Sequence, residues 1–277
     1  MCDSCQNDSR RSFLKTAFVA AAGVALLPQW LVASDHGDGH GGGHDAPAKK
    51  PSAKAKPKAE AESTGHAEAH PKEAAHHAPA GPGITPDEAL TRLLEGNRRF
   101  VANRAFHPNE GPNAREKLAK GQAPFAIILG CSDSRVPPEV VFDFGLGDLF
   151  VIRVAGNIVE DAGVGSIEYA VEHLGTPLIV VLGHERCGAV KATIETVEAG
   201  GEAPGHIGEL VRKLKPAVEA SKNVPGDKLD NAVRENARRM AKELAGLEPF
   251  LKERVDSGKV KVVAARYDLD SGVVELL

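Results

Sequence analysis

The sequence predicts an α/β fold with a central, mainly parallel β-sheet of four or five strands flanked by α-helices. Three observations carry this. Four short apolar, β-branched runs stand at residues 125–129, 149–154, 178–182 and 260–264. Helical patterns separate them, as in a parallel sheet covered on both faces. Two of the runs also end alike, as Gly130-Cys131 and Gly183-His184.

Each element has its own signal. Thr85 and Glu88 form a capping box with Pro86 at the first helical position. Leu90, Leu93, Leu94, Phe100 and Val101 then supply one apolar stripe. Between the second and third runs, Ile167, Ala170, Val171 and Leu174 recur at helical spacing and are closed by Gly175. Residues 228–247 are charged and helix-favouring, and they precede the fourth run. No repeat of solenoid type is present.

The whole chain has 277 residues, 42% hydrophobic and 26% charged, enough to bury a full-sized core. Its formal charge of -4, from 34 Lys+Arg against 38 Asp+Glu, supplies no cationic field for gripping phosphate backbones and argues against a nucleic-acid binder. The four cysteines, at 2, 5, 131 and 187, are too scattered for a disulfide framework.

Three compositional zones divide the chain. Residues 1–33 contain Ser9-Arg10-Arg11-Ser12-Phe13-Leu14-Lys15, an apolar stretch over 16–27 and a small-residue end, and resemble a twin-arginine (Tat) export signal. The apolar run is shorter than the ~20 residues that span a bilayer, so an uncleaved anchor is the minority reading. Cleavage after Ala33 would remove Cys2 and Cys5 and send the remainder to the periplasm. Residues 34–83 hold no Val, Ile, Leu, Met, Phe, Trp or Tyr and read as a disordered linker. Seven of the 11 histidines lie there, at 36, 40, 44, 66, 70, 76 and 77, either to capture metal and protons loosely or as incidental members of a solvated spacer. Residues 84–277 carry all the strand and helix patterns above and are expected to be the folded domain.

In an open parallel sheet, ligands bind beyond the carboxyl ends of the strands, which puts Cys131 and His184 on one edge. A helix beginning near residue 185 would bring Cys187 to the side of His184 by i, i+3 spacing. Two thiolates and one imidazole suit zinc, and three protein donors with a fourth position open mark a catalytic site rather than a structural one. Isolated His107, His173 and His206 offer no evident fourth ligand. Asp133 and Arg135, two residues apart beside the first cysteine, could form a bidentate pair that keeps the carboxylate ionised to orient a reacting water. The bland alternatives are a surface ion pair and a cysteine buried as a small hydrophobe.

These residues resemble the β-class carbonic anhydrases. Cys131-x-Asp133-x-Arg135 and His184-x-x-Cys187 match that family's zinc and catalytic signature, Val151-Ile-Arg-Val-Ala-Gly-Asn157 and Tyr267-Asp-Leu-Asp-Ser-Gly272 match further segments, and the likeness runs across most of residues 84–277. The resemblance implies a β-carbonic anhydrase-like fold, Cys131, His184 and Cys187 as ligands of one Zn2+ per subunit, and Asp133 with Arg135 as the catalytic dyad. Similarity to the plant-like branch implies that Gln122, Phe150, Tyr169 and Gly188 line the substrate pocket, completed across the interface of an obligate homodimer. Another branch carries a Trp three residues before the first cysteine as part of an inhibitory bicarbonate site; Ile128 stands there instead.

The implied reaction is reversible hydration of carbon dioxide to bicarbonate and a proton, by a zinc-bound hydroxide formed near neutral pH. Two thiolates cancel the charge of the ion, so activity should rise toward alkaline pH. Rival readings are a zinc-buffering protein working through the histidine linker and a thiol phosphatase using Cys131, although the short interval from Cys131 to Arg135 fits a phosphate loop badly. Carbonyl sulfide or carbon disulfide hydrolysis on the same scaffold is a nearer alternative.

Overall fold

The computed structural model describes residues 81–277. Residues 1–80, which hold the expected export signal and most of the expected linker, lie outside the described residues. Helix α1 (Pro86–Val101) starts as its sequence dictates: Thr85 Oγ1 accepts from Glu88 N, and Glu88 Oε2 accepts from Thr85 N at 2.7 Å. Such a cap contributes about 1 kcal/mol. The short helix α2 (Pro112–Leu118) leads into strand β1 (Ala126–Gly130), followed by α3 (Pro138–Val141), β2 (Leu149–Arg153), α4 (Asp161–Leu174) and β3 (Leu178–His184). Helices α5 (Gly188–Ala199), α6 (Ile207–Ser221), α7 (Lys228–Ala245) and α8 (Phe250–Asp256) come next, and β4 (Lys261–Tyr267) and β5 (Val274–Leu276) close the chain.

The strands lie in the order β2-β1-β3-β4-β5, with β1 to β4 mutually parallel and β5 antiparallel to β4. Strands β1 and β3 are buried throughout, so both faces must be covered. Side-chain alternation assigns the faces. Ile127, Leu129, Ile179 and Val181 pack among Ile167 and Ala170 of α4, Val190 of α5, Leu214 of α6 and Val233 of α7. On the other face, Ile128, Val180 and Leu182 meet Ala89 and Leu93 of α1 together with Phe125, Val141 and Phe142. Each fully buried Leu or Ile contributes roughly 1.5–3 kcal/mol. Gly175 ends α4 in the left-handed region, at φ 64°, as its position in the sequence implies.

One sequence expectation shifts. The chain does not turn helical at residue 185. His184 is the last residue of β3, Arg186 adopts φ 52°, and α5 begins only at Gly188 with Cys187 as its N-cap residue. Cys187 therefore reaches His184 through a tight turn, not along a helix face. Strand β5 has only three residues, too few for alternation to mark it in the sequence.

Candidate metal centre

The site is built at the carboxyl ends of neighbouring strands β1 and β3. Gly130 pairs with Leu182 in the ladder, so Cys131 emerges beside Gly183 and one step short of His184. Cys131, His184 and Cys187 bring their donor atoms within 4.8 Å of one another, and their residues are 4%, 0% and 1% exposed. The carbonyl oxygen of Glu185 lies 2.9 Å from His184 Nδ1. A proton on Nδ1 would satisfy that carbonyl and leave the Nε2 lone pair facing the two sulfurs. Nε2 is buried and has no hydrogen-bond partner, an arrangement that costs free energy unless a ligand takes it up.

The sulfurs carry the same message. The Cys187 thiol donates toward Cys131, whose pKa falls to about 4 with further help from His184 and the Gly156 amide, while burial opposes the fall. The hydrogen bond to Cys131, followed by burial and the Cys131 charge, pushes Cys187 upward. The pair therefore holds a single proton where a divalent cation would hold both sulfurs. Two sulfurs, one imidazole nitrogen and no fourth donor in the cluster fit a zinc ion with an open position.

Asp133 overlooks this centre. Its Oδ1 accepts from Arg135 Nε at 2.9 Å and from the Arg135 amide at 2.9 Å, and its Oδ2 accepts from the guanidinium at 2.7 Å. Oδ2 stands 3.9 Å from His184 Nε2. The Arg135 bonds hold the carboxyl well below the usual carboxylate range, against a smaller opposing effect of burial.

Of the anticipated pocket residues, Gly188 adjoins a ligand, and Gln122, Phe150 and Tyr169 sit on other segments of the chain. Gln122 is exposed and lines a separate cavity of about 540 Å³ with Arg115, Leu118, Leu146 and Gly147. Phe150 pairs with Ile127, well below the strand tips, on edge strand β2. Tyr169 is 49% exposed on α4, with its ring centroid 5.0 Å from that of His173. Gly188 opens α5 beside Cys187, and a Cβ added there would meet nothing within 4 Å.

Three supporting residues escaped the sequence reading. Arg153, at the end of β2, donates from Nε to the Cys131 carbonyl at 2.8 Å and from its terminal nitrogen to the Asp133 carbonyl at 2.6 Å, bracing the loop that carries ligand and dyad. The Gly156 amide donates to Cys131 Sγ at 3.3 Å, and Asn236 of α7 donates to the Gly156 carbonyl at 2.8 Å. Arg153 and Gly156 lie inside the 151–157 segment. The signal was there, but only a fold brings that segment against Cys131.

A buried Cys2His cluster at the strand tips of a five-stranded α/β sheet, faced by an Arg-held carboxylate, defines a zinc lyase site of the β-carbonic anhydrase kind. Comparison with known proteins agrees. The carbonic anhydrase family profile matches residues 126–274. Carbonic anhydrase 2 of Mycobacterium tuberculosis is 40% identical over 191 residues, covering 69% of this chain and 92% of that protein. Carbonic anhydrase of Mycolicibacterium smegmatis is 38% identical over 195 residues, covering 70% and 95%. Among solved structures, one of two tetrameric β-carbonic anhydrases from Sordaria macrospora superposes with a TM-score of 0.54 at 27% identity, covering 69% of this chain and 97% of that one. The chain belongs to the carbonic anhydrase family, in its β class.

Proposed function

We propose that residues 84–277 interconvert carbon dioxide with bicarbonate and a proton at the Cys131, His184 and Cys187 centre, with Asp133 and Arg135 as the catalytic dyad. The observation that carries this is the pairing of three convergent buried donors with one carboxylate held ionised above them. Zinc, when bound, supplies the Lewis acidity that lets water act as a nucleophile near neutral pH.

The chain does the rest. With its carboxyl held far below neutral, Asp133 does not take the proton of the reacting water; Oδ2 can only accept a hydrogen bond and so fixes which way a lone pair points. Arg135 spends its guanidinium on both carboxylate oxygens and keeps them from turning away. Buried Cys131 and Cys187, with the apolar side chains packed around them, give the centre a dry floor that suits an uncharged gas. Strong donation by two thiolates leaves the cation less acidifying than three imidazoles would, so turnover should rise on the alkaline side.

The plant-like pocket and the homodimer belong to the same reading. It is supported by the open edge of β2, by the half-exposed Tyr169 on α4 and by the separation of Gln122 from the metal centre within one chain: a second copy could bring these residues to its partner's site. The tetrameric relatives in Sordaria macrospora are consistent with such pairing. Export by the Tat route to the periplasm is read from residues 9–33, and a route that moves folded protein would allow zinc to be loaded before the thiols meet an oxidising compartment.

Stopped-flow hydration by purified, metal-quantified protein tests the function. Wild type should turn over in proportion to its zinc, and Cys131→Ser should lose zinc and hydration together. Turnover persisting in zinc-free Cys131→Ser protein refutes the mechanism. Sedimentation tests the dimer: a monomer at full specific activity refutes the shared pocket.

A further inference from the structure

Between ligands His184 and Cys187 lie Glu185 and Arg186, whose side chains point away from the metal centre and into the turn that joins β4 to β5. The β3–β4 ladder ends at His184 paired with Tyr267, and the Glu185 amide prolongs it by donating to the Tyr267 carbonyl at 2.9 Å. Glu185 Oε2 then accepts from the Leu269 amide at 3.1 Å, and Oε1 lies 3.8 Å from the buried Arg266 guanidinium. Arg186 forks onto Asp270 with bonds of 2.9 and 2.7 Å.

The receiving turn is itself rigid. The Asp268 carboxylate accepts from the Ser271 amide and hydroxyl at 2.8 Å each, and Arg266 bonds both Asp268 and Asp230 of α7. Arg186 holds φ 52°, in the left-handed region that residues other than glycine seldom adopt.

We propose that Glu185 and Arg186 are positioning residues, and that the 268–272 turn acts through them as a clamp on the metal-binding turn. The reason is a shared peptide. The carbonyl that faces His184 Nδ1 belongs to Glu185, so whatever fixes Glu185 also fixes the imidazole plane. One residue further on, Arg186 sets the left-handed bend that returns the chain to Cys187. The clamp thus orders two of the three ligands from behind, through contacts that never touch the ion. It rests on the three-donor metal site and is independent of which small molecule reacts there.

The test is the rate at which zinc-loaded full-length protein releases its metal to excess chelator, read beside the unfolding of the apo and zinc-loaded forms. Glu185→Ala should speed release about tenfold, the lower end of what outer-shell partners contribute. Glu185→Gln keeps an oxygen for the Leu269 amide and should restore most of the wild-type rate. Arg186→Gln, on an exposed pair, should speed release about threefold, the scale of a weak ion pair. With cobalt(II) in place of zinc, Glu185→Ala should also shift the visible ligand-field bands. Zinc-loaded protein should lose more stability than apo protein in each damaging variant. Release rates unchanged in both Glu185→Ala and Arg186→Gln, or equal losses in apo and loaded forms, would overturn the clamp. Should Glu185→Ala fail to fold, Arg186→Gln decides alone. Wild type that retains no zinc would instead refute the metal site itself.

Discussion

Replacing Gly156 by Ala puts a single methyl group into the most constrained spot behind the metal centre. Gly156 sits at φ 77°, where an L side chain costs roughly 1–2 kcal/mol. The new Cβ would stand 2.9 and 3.2 Å from the two Leu214 methyls and 3.3 Å from Ala189 Cβ. Leu214 is fully buried against the core, so its retreat adds an overpacking cost of about 1–2 kcal/mol. Together these give a loss of about 3 kcal/mol. Gly163→Ala is the internal control: it lies in α4, its Cβ would meet nothing nearer than 3.6 Å, and the helix should gain up to about 1 kcal/mol. Urea unfolding of both variants measures the contrast. Because the Gly156 amide donates to Cys131 Sγ, zinc retention should fall in Gly156→Ala and hold in Gly163→Ala. A Gly156→Ala loss below about 1 kcal/mol, or unchanged zinc retention, would refute the assignment of strain and support to this turn.

Other predictions are shorter. Since the contact between the two sulfurs lowers the pKa of Cys131 and raises that of Cys187, zinc uptake at pH 8 should release about one thiol proton rather than two, read by calorimetry in buffers of different ionisation enthalpy. Arg135→Leu removes the main cause that holds Asp133 low; the carboxyl should rise toward its ordinary value yet stay ionised at neutral pH, so stopped-flow hydration should fall through lost orientation of the carboxylate while the midpoint of the pH profile stays in place. Asp133→Asn should cut kcat by about 10- to 100-fold with zinc content unchanged, because Asp133 lies outside the three-donor group and in the proposed mechanism only orients the reacting water. Deleting residues 35–82 should leave the hydration rate of the enzyme unaltered, measured by stopped flow, whereas a protein built to buffer zinc would lose its capacity.

Much of the site was legible because its chemistry sits on regular elements. Paired Gly-Cys and Gly-His strand ends place donors on one edge of any parallel sheet, and an Asp two residues from an Arg can reach it in almost any loop. The capping box at Thr85 and the Gly175 stop were legible for the same local reason. Arg153 and Asn236 were not, since each matters only through partners 20 to 80 residues away. The turn at 185–187 misled because nothing local announces a left-handed arginine; Asp270, 84 residues on, bonds its guanidinium. Helix α6 was equally hidden, with Pro216 inside it where a sequence reader expects a break.

The alternation of strand faces has a further consequence for assembly of the centre. Cys131 continues the face of Ile127 and Leu129, so a slip of β1 by a single residue against β3 would carry its sulfur to the opposite side of the sheet and bring Ser132 toward the ion. Only a chain whose strands have zipped in the correct phase can capture the cation. Metal uptake during folding would then serve as an inspection step, arresting correctly threaded molecules and leaving misthreaded ones free to unzip and try again.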